Sequence, residues 1–103
     1  VAWCPCAFVG ADAHAGSTET SVLLHLSPES VRQDSVEVGN RAPIATLLPT
    51  MRDGGVAAVS VNGLLGDPTT ASARDGAVLV EHLVSTLSAA IRRWDVAEDG
   101  RLR

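Results

Sequence analysis

Only two segments of this 103-residue sequence have the pattern of a β-strand. Residues 2–9 form a short, mostly apolar run interrupted by Pro5, and residues 56–61 (VAAVSV) lie between glycines. Short apolar runs of this kind are typical of strands that are covered on both faces. Because two strands do not make a stable isolated sheet, this feature limits what the chain can form by itself. We therefore expect the remaining strands to lie upstream of Val1.

Three helical segments are predicted between and after these strands. The strongest is amphipathic and runs from about Ser72 to Trp94. A shorter helix is predicted over Ser17–Leu26, with Ser17 or Thr18 as its N-cap. Residues 44–51 are expected to form one helical turn that their proline breaks. The long helix carries its core-facing residues at helical spacing: Val78, Leu79, His82, Leu83, Thr86, Leu87, Ala90 and Ile91.

Alternating strands and helices indicate the α/β class. The composition, 46% hydrophobic and 19% charged, excludes a disordered chain. Aromatic residues make up 3% of the sequence, so the core must be built from Ala, Val and Leu. Residues 1–94 are expected to form part of one domain, and residues 95–103 a charged tail that frays.

Charge and apolar patterning exclude several partners. The formal net charge is −4, and the eight basic residues, all arginines, form no basic stripe, so no nucleic-acid partner is expected. No apolar run reaches the ~18 residues of a membrane span, so no membrane partner is expected. Cys4 and Cys6 are too close in sequence for ordinary disulfide geometry. Reduced thiols and the lack of a secretion signal predict a cytoplasmic location.

The densest set of chemically active residue types is the run DAHAGSTETS at residues 12–21. It follows a predicted strand and opens a predicted helix, which is where ligands bind in open α/β sheets. His14 has a side chain that exchanges protons near neutral pH. Glu19 offers a hard oxygen ligand or a general base, and Gly16 allows close backbone approach. The same run is also a good ordinary helix start, and both interpretations stay open from the residues alone.

The run His14-Ala15-Gly16-x-x-Glu19-Thr20-Ser21 resembles the HAGxxETS signature of the creatininase (creatinine amidohydrolase) family. Two further segments agree with that family: LHLSPESV at residues 24–31, and VAAVSVNGLLGDPTTASARDG at residues 56–76. The chain resembles only the family's C-terminal part. The closest subgroup is the creatininase-family peptidase of the mycofactocin system, which matures the precursor of a ribosomally made redox cofactor.

The resemblance implies a layered α/β/α fold around a mostly parallel sheet, assembled as a homo-oligomer. It implies metal-dependent hydrolysis of C–N amide bonds in a peptide or small amide substrate, at a centre of two divalent metals (Zn, Fe or Mn). The family takes most of its metal ligands from upstream segments that do not occur in this sequence. An active enzyme of this family and a catalytically inactive, truncated chain that acts only as an assembly subunit both remain open.

Residue by residue, the resemblance implies that Glu19 is a metal ligand or a neighbour of one. It implies that His14 is catalytic, orienting the substrate or passing a proton to the leaving nitrogen. Asp12 and Gly16 are the candidate substrate-binding residues. Creatininases proper carry a Trp-Asp pair whose aspartate lies three residues before the signature histidine. Here Gly10 and Ala11 occupy those places, which argues against creatinine as the substrate and fits the peptidase subgroup.

Two other features have simpler explanations available. The Gly66-Asp67-Pro68 element precedes the long helix, so Thr69, Thr70 or Ser72 could serve as a helix cap; the alternatives are a loop that lines the active site or contacts another subunit. A phosphate-loop interpretation lacks the required lysine, because the sequence contains none. A small anion-binding module at the helix N-terminus is a weaker alternative. The other histidines, His25 and His82, are expected to have packing or surface roles.

Overall fold

A computed structural model describes residues 1–3 and 10–103 of the chain. Its α-helices are α1 (Ser17–Leu26), α2 (Ile44–Gly54) and α3 (Ala73–Arg93). Short 3₁₀ turns connect them: Pro28–Ser30, Gln33–Ser35, Val56–Ala58 and Pro68–Thr70. The limits of α1 and α3 agree with the predicted helices. In this described part of the chain, no helix is long and apolar enough to cross a membrane.

The long helix α3 begins and ends where its sequence indicates. Ser72 is the N-cap, and its hydroxyl oxygen accepts a hydrogen bond from the Asp75 N–H at 3.1 Å. The same hydroxyl donates to the Asp75 carboxylate at 2.6 Å. At the other end Trp94 adopts a left-handed conformation (φ 50°), and its N–H bonds to the Ala90 carbonyl at 2.9 Å. Helix capping therefore explains the serine after the GDP element.

Helices α1 and α3 pack at a point where no side chain separates them. Ser21 of α1 is 1% exposed, and its hydroxyl oxygen accepts a hydrogen bond from the Ser72 N–H at 3.0 Å. A Cβ atom at Gly76 of α3 would lie 1.9 Å from the Ser21 carbonyl oxygen. Gly76 therefore allows the two helix backbones to touch.

Replacing Gly76 by Ala is expected to destabilise the chain, although alanine favours a helix by about 1 kcal/mol over glycine. The added methyl must push the α1 backbone away, and such overpacking costs roughly 1–3 kcal/mol. Urea unfolding followed by circular dichroism measures the difference. The control is Val84→Ala on α3, where Val84 is 59% exposed and the change should stay within about 0.5 kcal/mol. A Gly76→Ala protein as stable as the parent would contradict this packing.

Two of the predicted elements are wrong. Residues 56–61 are not a strand: Val56–Ala58 is a 3₁₀ turn, and the Val56 carbonyl accepts the N–H groups of Val59 and Ser60 at 3.0 and 2.9 Å. A short apolar run cannot distinguish a strand from a turn, and no described segment pairs with it as a ladder. Helix α2 is longer than the predicted single turn, because it continues through Pro49 to Gly54.

The helix tolerates this proline because its surroundings are open. Pro49 lacks the N–H that would bond to the carbonyl of Ala45, four residues earlier. Both residues are exposed, so water can satisfy that carbonyl. The prediction failed because proline was treated as a stop when it costs only one hydrogen bond at an exposed position.

The predicted mostly parallel sheet does not appear within residues 1–3 and 10–103. The β-bridges there are isolated pairs: Ala2 with Arg101, His14 with Leu65, and Val96 with Leu102. Most of the first predicted strand, together with Cys4 and Cys6, lies outside the described residues. Its second residue, Ala2, pairs in parallel with Arg101.

The segment predicted to fray, residues 95–103, folds back on itself. Ala97 donates to the Arg101 carbonyl at 2.8 Å, and Arg103 donates to the Asp95 carbonyl at 2.9 Å. Leu102 donates to the Ala2 carbonyl at 2.8 Å and is only 8% exposed. The charges predicted a solvated tail, but one leucine near its end anchors the segment beside the start of the chain.

The apolar stripe of α3 is only partly covered. Ala90 is buried and Leu79, Leu83 and Leu87 are half-buried, as the helical spacing predicted. Val78 and Ile91, also in the predicted stripe, are exposed. The radius of gyration is 15.9 Å, against about 13 Å for a compact domain of this length. The described chain therefore leaves apolar surface uncovered.

Candidate functional site

The loop before α1 is held by a short backbone ladder. The N–H groups of Ala13 and His14 bond to the Leu65 carbonyl at 3.0 and 3.1 Å, and the Leu65 N–H bonds to the His14 carbonyl at 2.9 Å. On the other edge of residues 64–66, Gly39 donates to the Gly66 carbonyl and Asn40 to the Leu64 carbonyl, both at 3.0 Å. The loop with the signature is thus fixed to the GDP segment far away in the sequence.

The carboxylate of Asp12 caps helix α1. Its two oxygens accept the N–H groups of Ser17 and Thr18 at 2.5 and 3.0 Å, and one also lies 3.4 Å from the Asp67 nitrogen. The N-cap residue by position is Gly16, which has no side chain to offer. The prediction that Ser17 or Thr18 caps the helix is therefore corrected: the cap reaches in from the loop.

Two glycines make room for this carboxylate. A Cβ atom at Gly16 would lie 1.8 Å from an Asp12 carboxylate oxygen, and one at Gly66 would lie 2.6 Å from the same atom. Close approach at Gly16 was predicted, and the group that approaches it in the structure is the Asp12 carboxylate. A substrate role for Asp12 or Gly16 would have to coexist with this structural one.

The pKa of Asp12 lies below its ordinary value. Partial burial by itself would raise the pKa, but the hydrogen bonds from the backbone N–H groups of Thr18 and Ser17 outweigh it. These donors favour the charged form, because a protonated carboxyl would lose acceptor strength toward them. The ionised carboxylate also suits the positive end of the helix.

Acid is therefore expected to weaken the chain through Asp12. Since the folded-state pKa is lowered, the stabilisation is fully present above the unfolded value of about 3.9 and disappears as the pH falls through the folded value. The measurement compares urea unfolding of the parent and of Asp12→Asn from pH 7 to pH 2.5. The gap between them should be constant above about pH 4 and narrow below it. A gap that does not change with pH would contradict this linkage.

His14 and Glu19 form the second pair of the site. The His14 Nδ1 atom lies 3.4 Å from a Glu19 carboxylate oxygen, and both side chains are about 60% exposed (61% and 62%). The same Glu19 oxygen accepts the Ala15 N–H at 2.5 Å. Ala15 has a left-handed backbone (φ 51°), which turns the chain so that its N–H faces the first turn of α1. The signature thus brings together the two residues that the resemblance singles out.

The four predicted site residues divide between two clefts, each of about 450 Å³. Asp12 lines the first, which we call the Asp12 cleft, together with Arg41, Ile44 and Asp67. Glu19 lines the second, the Glu19 cleft, together with residues of α1 and of the 30–37 segment. Asp12 and Glu19 therefore stand on different sides of the loop, so the sequence run does not form one continuous pocket.

Sequence reasoning did not single out Arg41. Its guanidinium lies 3.5 Å from the Asp67 carboxylate at the rim of the Asp12 cleft. The hydrogen bonds from Thr69, helped by Arg41, lower the pKa of Asp67. Asp67 was noted as part of the GDP element, and the structure shows that this element both precedes α3 and lines a cleft. No pattern near Arg41 could have shown that it meets Asp67.

Metal-ligating groups come together only in part. Within residues 1–3 and 10–103, no three side chains of the His, Cys, Asp and Glu types are grouped closely enough to hold a metal ion. His14 and Glu19 offer one imidazole and one carboxylate, whereas a catalytic zinc site uses three protein ligands. The described residues therefore fit part of a metal centre and not a whole one.

Comparison with known proteins decides the family. The family model Creatininase, described as creatinine amidohydrolase, matches residues 5–91. The chain belongs to the creatininase family. The signature at residues 14–21 and the GDP element both lie inside the matched range, so the resemblance inferred from them is confirmed.

Curated creatininase-family relatives are similar over almost the whole chain. Over 100 residues the chain is 55% identical to the mycofactocin precursor peptide peptidase of Mycobacterium tuberculosis (strain H37Rv). It is 53% identical to the protein of that name from Mycolicibacterium smegmatis. Each alignment covers 97% of this chain and 40% of the relative, so the chain spans less than half the length of these relatives.

A solved structure agrees on the fold. The putative creatinine amidohydrolase from Bacteroides fragilis NCTC 9343 matches with a TM-score of 0.61 and 32% sequence identity. The match covers 76% of this chain and 32% of that one. The arrangement of helices and ladder described above is thus a creatininase-family arrangement, although the described residues contain bridges and no continuous sheet.

Proposed function

We propose that this chain supplies His14 and Glu19 to the active site of an amide hydrolase that matures the mycofactocin precursor peptide. The observation that carries the proposal is the 3.4 Å contact between these two side chains on a loop fixed at both ends. The names of the curated relatives, at 53–55% identity, support a peptide as the substrate. Membership of the creatininase family supports hydrolysis as the reaction.

Hydrolysis adds water to the amide carbonyl, breaks the C–N bond and gives the leaving nitrogen a proton. Glu19 holds His14 through Nδ1, which leaves Nε2 to face the substrate. As an imidazolium, His14 can give the Nε2 proton to the leaving nitrogen, and general acid catalysis of this kind contributes about 10²–10⁴-fold. The negative charge of Glu19 stabilises that imidazolium and keeps its ring in place.

The proposal includes a centre of two divalent metals, Zn, Fe or Mn. Glu19 would add one carboxylate oxygen to it, and further ligands must come from outside the described residues. A layered α/β/α fold with a mostly parallel sheet, a homo-oligomeric assembly and a cytoplasmic location belong to the same proposal. They are consistent with the uncovered apolar surface on α3.

The proposal is tested by transplantation. The stretch of the Mycobacterium tuberculosis relative that aligns with this chain is replaced by the 103 residues, and the chimera is incubated with a synthetic precursor peptide. Cleavage within about tenfold of the parent rate is expected, because a tenfold change is only 1.4 kcal/mol of transition-state stabilisation. The aligned protein with its own residues is the control. A chimera that folds and assembles like the parent without cleaving would contradict the proposal.

A catalytically inactive assembly subunit is the second candidate, and the incomplete donor set is the observation that favours it. Both candidates predict that the 103-residue chain by itself binds less than one divalent metal per chain and cleaves no amide. Metal analysis after dialysis, with the relative as the positive control, measures this. Stoichiometric metal on the isolated chain would show that the ligands described above are not the whole set.

A further inference from the structure

The Glu19 cleft has a use that the catalytic pair does not explain. It opens between helix α1 and the 30–37 segment, and Leu64 and Pro68 complete its wall. Its volume of about 450 Å³ falls within the range of roughly 300–1,000 Å³ typical of small-ligand sites. Glu19 stands in the wall itself, so a group in the cleft lies beside the carboxylate of the proposed active site.

The wall of this cleft is mainly apolar and not fully covered. Leu23 is 41% exposed, and Val31, Val36 and Leu64 are half-buried. Covering such side chains with another apolar group is favourable, because it removes apolar surface from water. The ionisable side chains in the lining are Glu19, Glu37 and Arg32, which leaves an excess of negative charge. That excess disfavours an acidic occupant.

We propose that the Glu19 cleft is the subsite for an apolar side chain of the peptide substrate, on the residue next to the amide that is cleaved. The inference rests on the proposed function for the position of the amide. Within the cleft Val36 is a specificity-determining residue, since its side chain lies in the wall across from helix α1. An aliphatic or aromatic side chain binds there, and an acidic or small polar one is rejected.

The test is a titration of the isotope-labelled 103-residue chain, followed by NMR. The probes are N-acetyl-Gly-Leu-amide and N-acetyl-Gly-Ser-amide, which differ in one side chain. We expect the leucine probe to bind at least about tenfold more tightly, which is the smallest effect typical of a well-formed apolar pocket. Its chemical-shift changes should centre on Glu19, Thr20 and Val36.

Variants place the effect in the cleft. Val36→Asp adds a charge to the wall and should remove the preference for leucine. Val38→Asp makes the same change two residues away, where Val38 is 51% exposed and outside the cleft lining, and should keep the preference. If Val36→Asp loses its helical circular dichroism, Leu23→Ser on the exposed side of α1 replaces it. Equal binding of both probes, or a preference that survives the cleft variants, overturns the proposal.

The subsite and the proposed function can fail separately. A leucine preference together with a chimera that does not cleave would refute the hydrolase and keep the binding site. Cleavage by the chimera with equal kcat/KM for leucine and serine peptides would keep the hydrolase and overturn the subsite.

Discussion

Replacing Glu19 by Gln in the chimera is expected to lower kcat/KM for the precursor peptide by about 100-fold or more. The change removes the negative charge that faces His14 at 3.4 Å. It keeps an oxygen that can still accept the Ala15 N–H, so the left-handed turn at Ala15 is preserved. The loss therefore reports on charge and chemistry and leaves the fold of the loop unchanged.

The matched control is Glu37→Gln, which makes the same chemical change in the wall of the same cleft. Glu37 has no described contact with His14, so its replacement should change kcat/KM by less than about threefold, a small fraction of a catalytic effect. The assay is peptide cleavage followed by mass spectrometry over a range of substrate concentrations. Equal losses for the two variants would mean that Glu19 acts only as one more charge in the cleft.

Replacing Asp12 by Ala is expected to have the largest effect on folding, a loss of about 2–3 kcal/mol in the free energy of unfolding. The Asp12 carboxylate satisfies two backbone N–H groups at the start of α1 and lies near a third at Asp67. Its removal costs a helix cap and also frees the α1 loop from the GDP segment. Urea unfolding of the 103-residue chain measures the loss.

Two variants separate the cap from the charge. Asp12→Asn keeps one acceptor oxygen and should lose only about 1 kcal/mol. Asp53→Ala, at an exposed aspartate near the end of α2, should stay within about 0.5 kcal/mol. If Asp12→Ala unfolds no more easily than Asp53→Ala, the capping contact does not contribute to stability.

Local signals predicted α1 and α3 because both rest on local physics. The capping serine and the helical spacing of apolar residues determine α3, and no distant contact competes with them. The same reasoning failed at residues 56–61, where the valines favour a strand only if another strand is beside them. It also failed at Pro49, because the cost of a helical proline depends on whether water reaches the carbonyl left without a partner.

The candidate site shows the same division. The spacing of HAGxxETS identified His14 and Glu19, and their contact follows from a five-residue separation across a helix start. The role of Asp12 as the cap of α1 could not be read from sequence, because it depends on the loop being tied to Leu65. Arg41 could not be found either, since its partner Asp67 is 26 residues away and no local pattern links them.

The sequence alone determined the family, the two helices that carry it and the pair of residues proposed for chemistry, because each is encoded within a few residues of chain. Only the tertiary structure decided that Asp12 caps α1, that Gly16 and Gly66 make room for it, and that Asp12 and Glu19 face different clefts. These features arise where segments about 50 residues apart meet. Which segments meet is set by packing and backbone hydrogen bonds, and a local residue pattern does not contain that information.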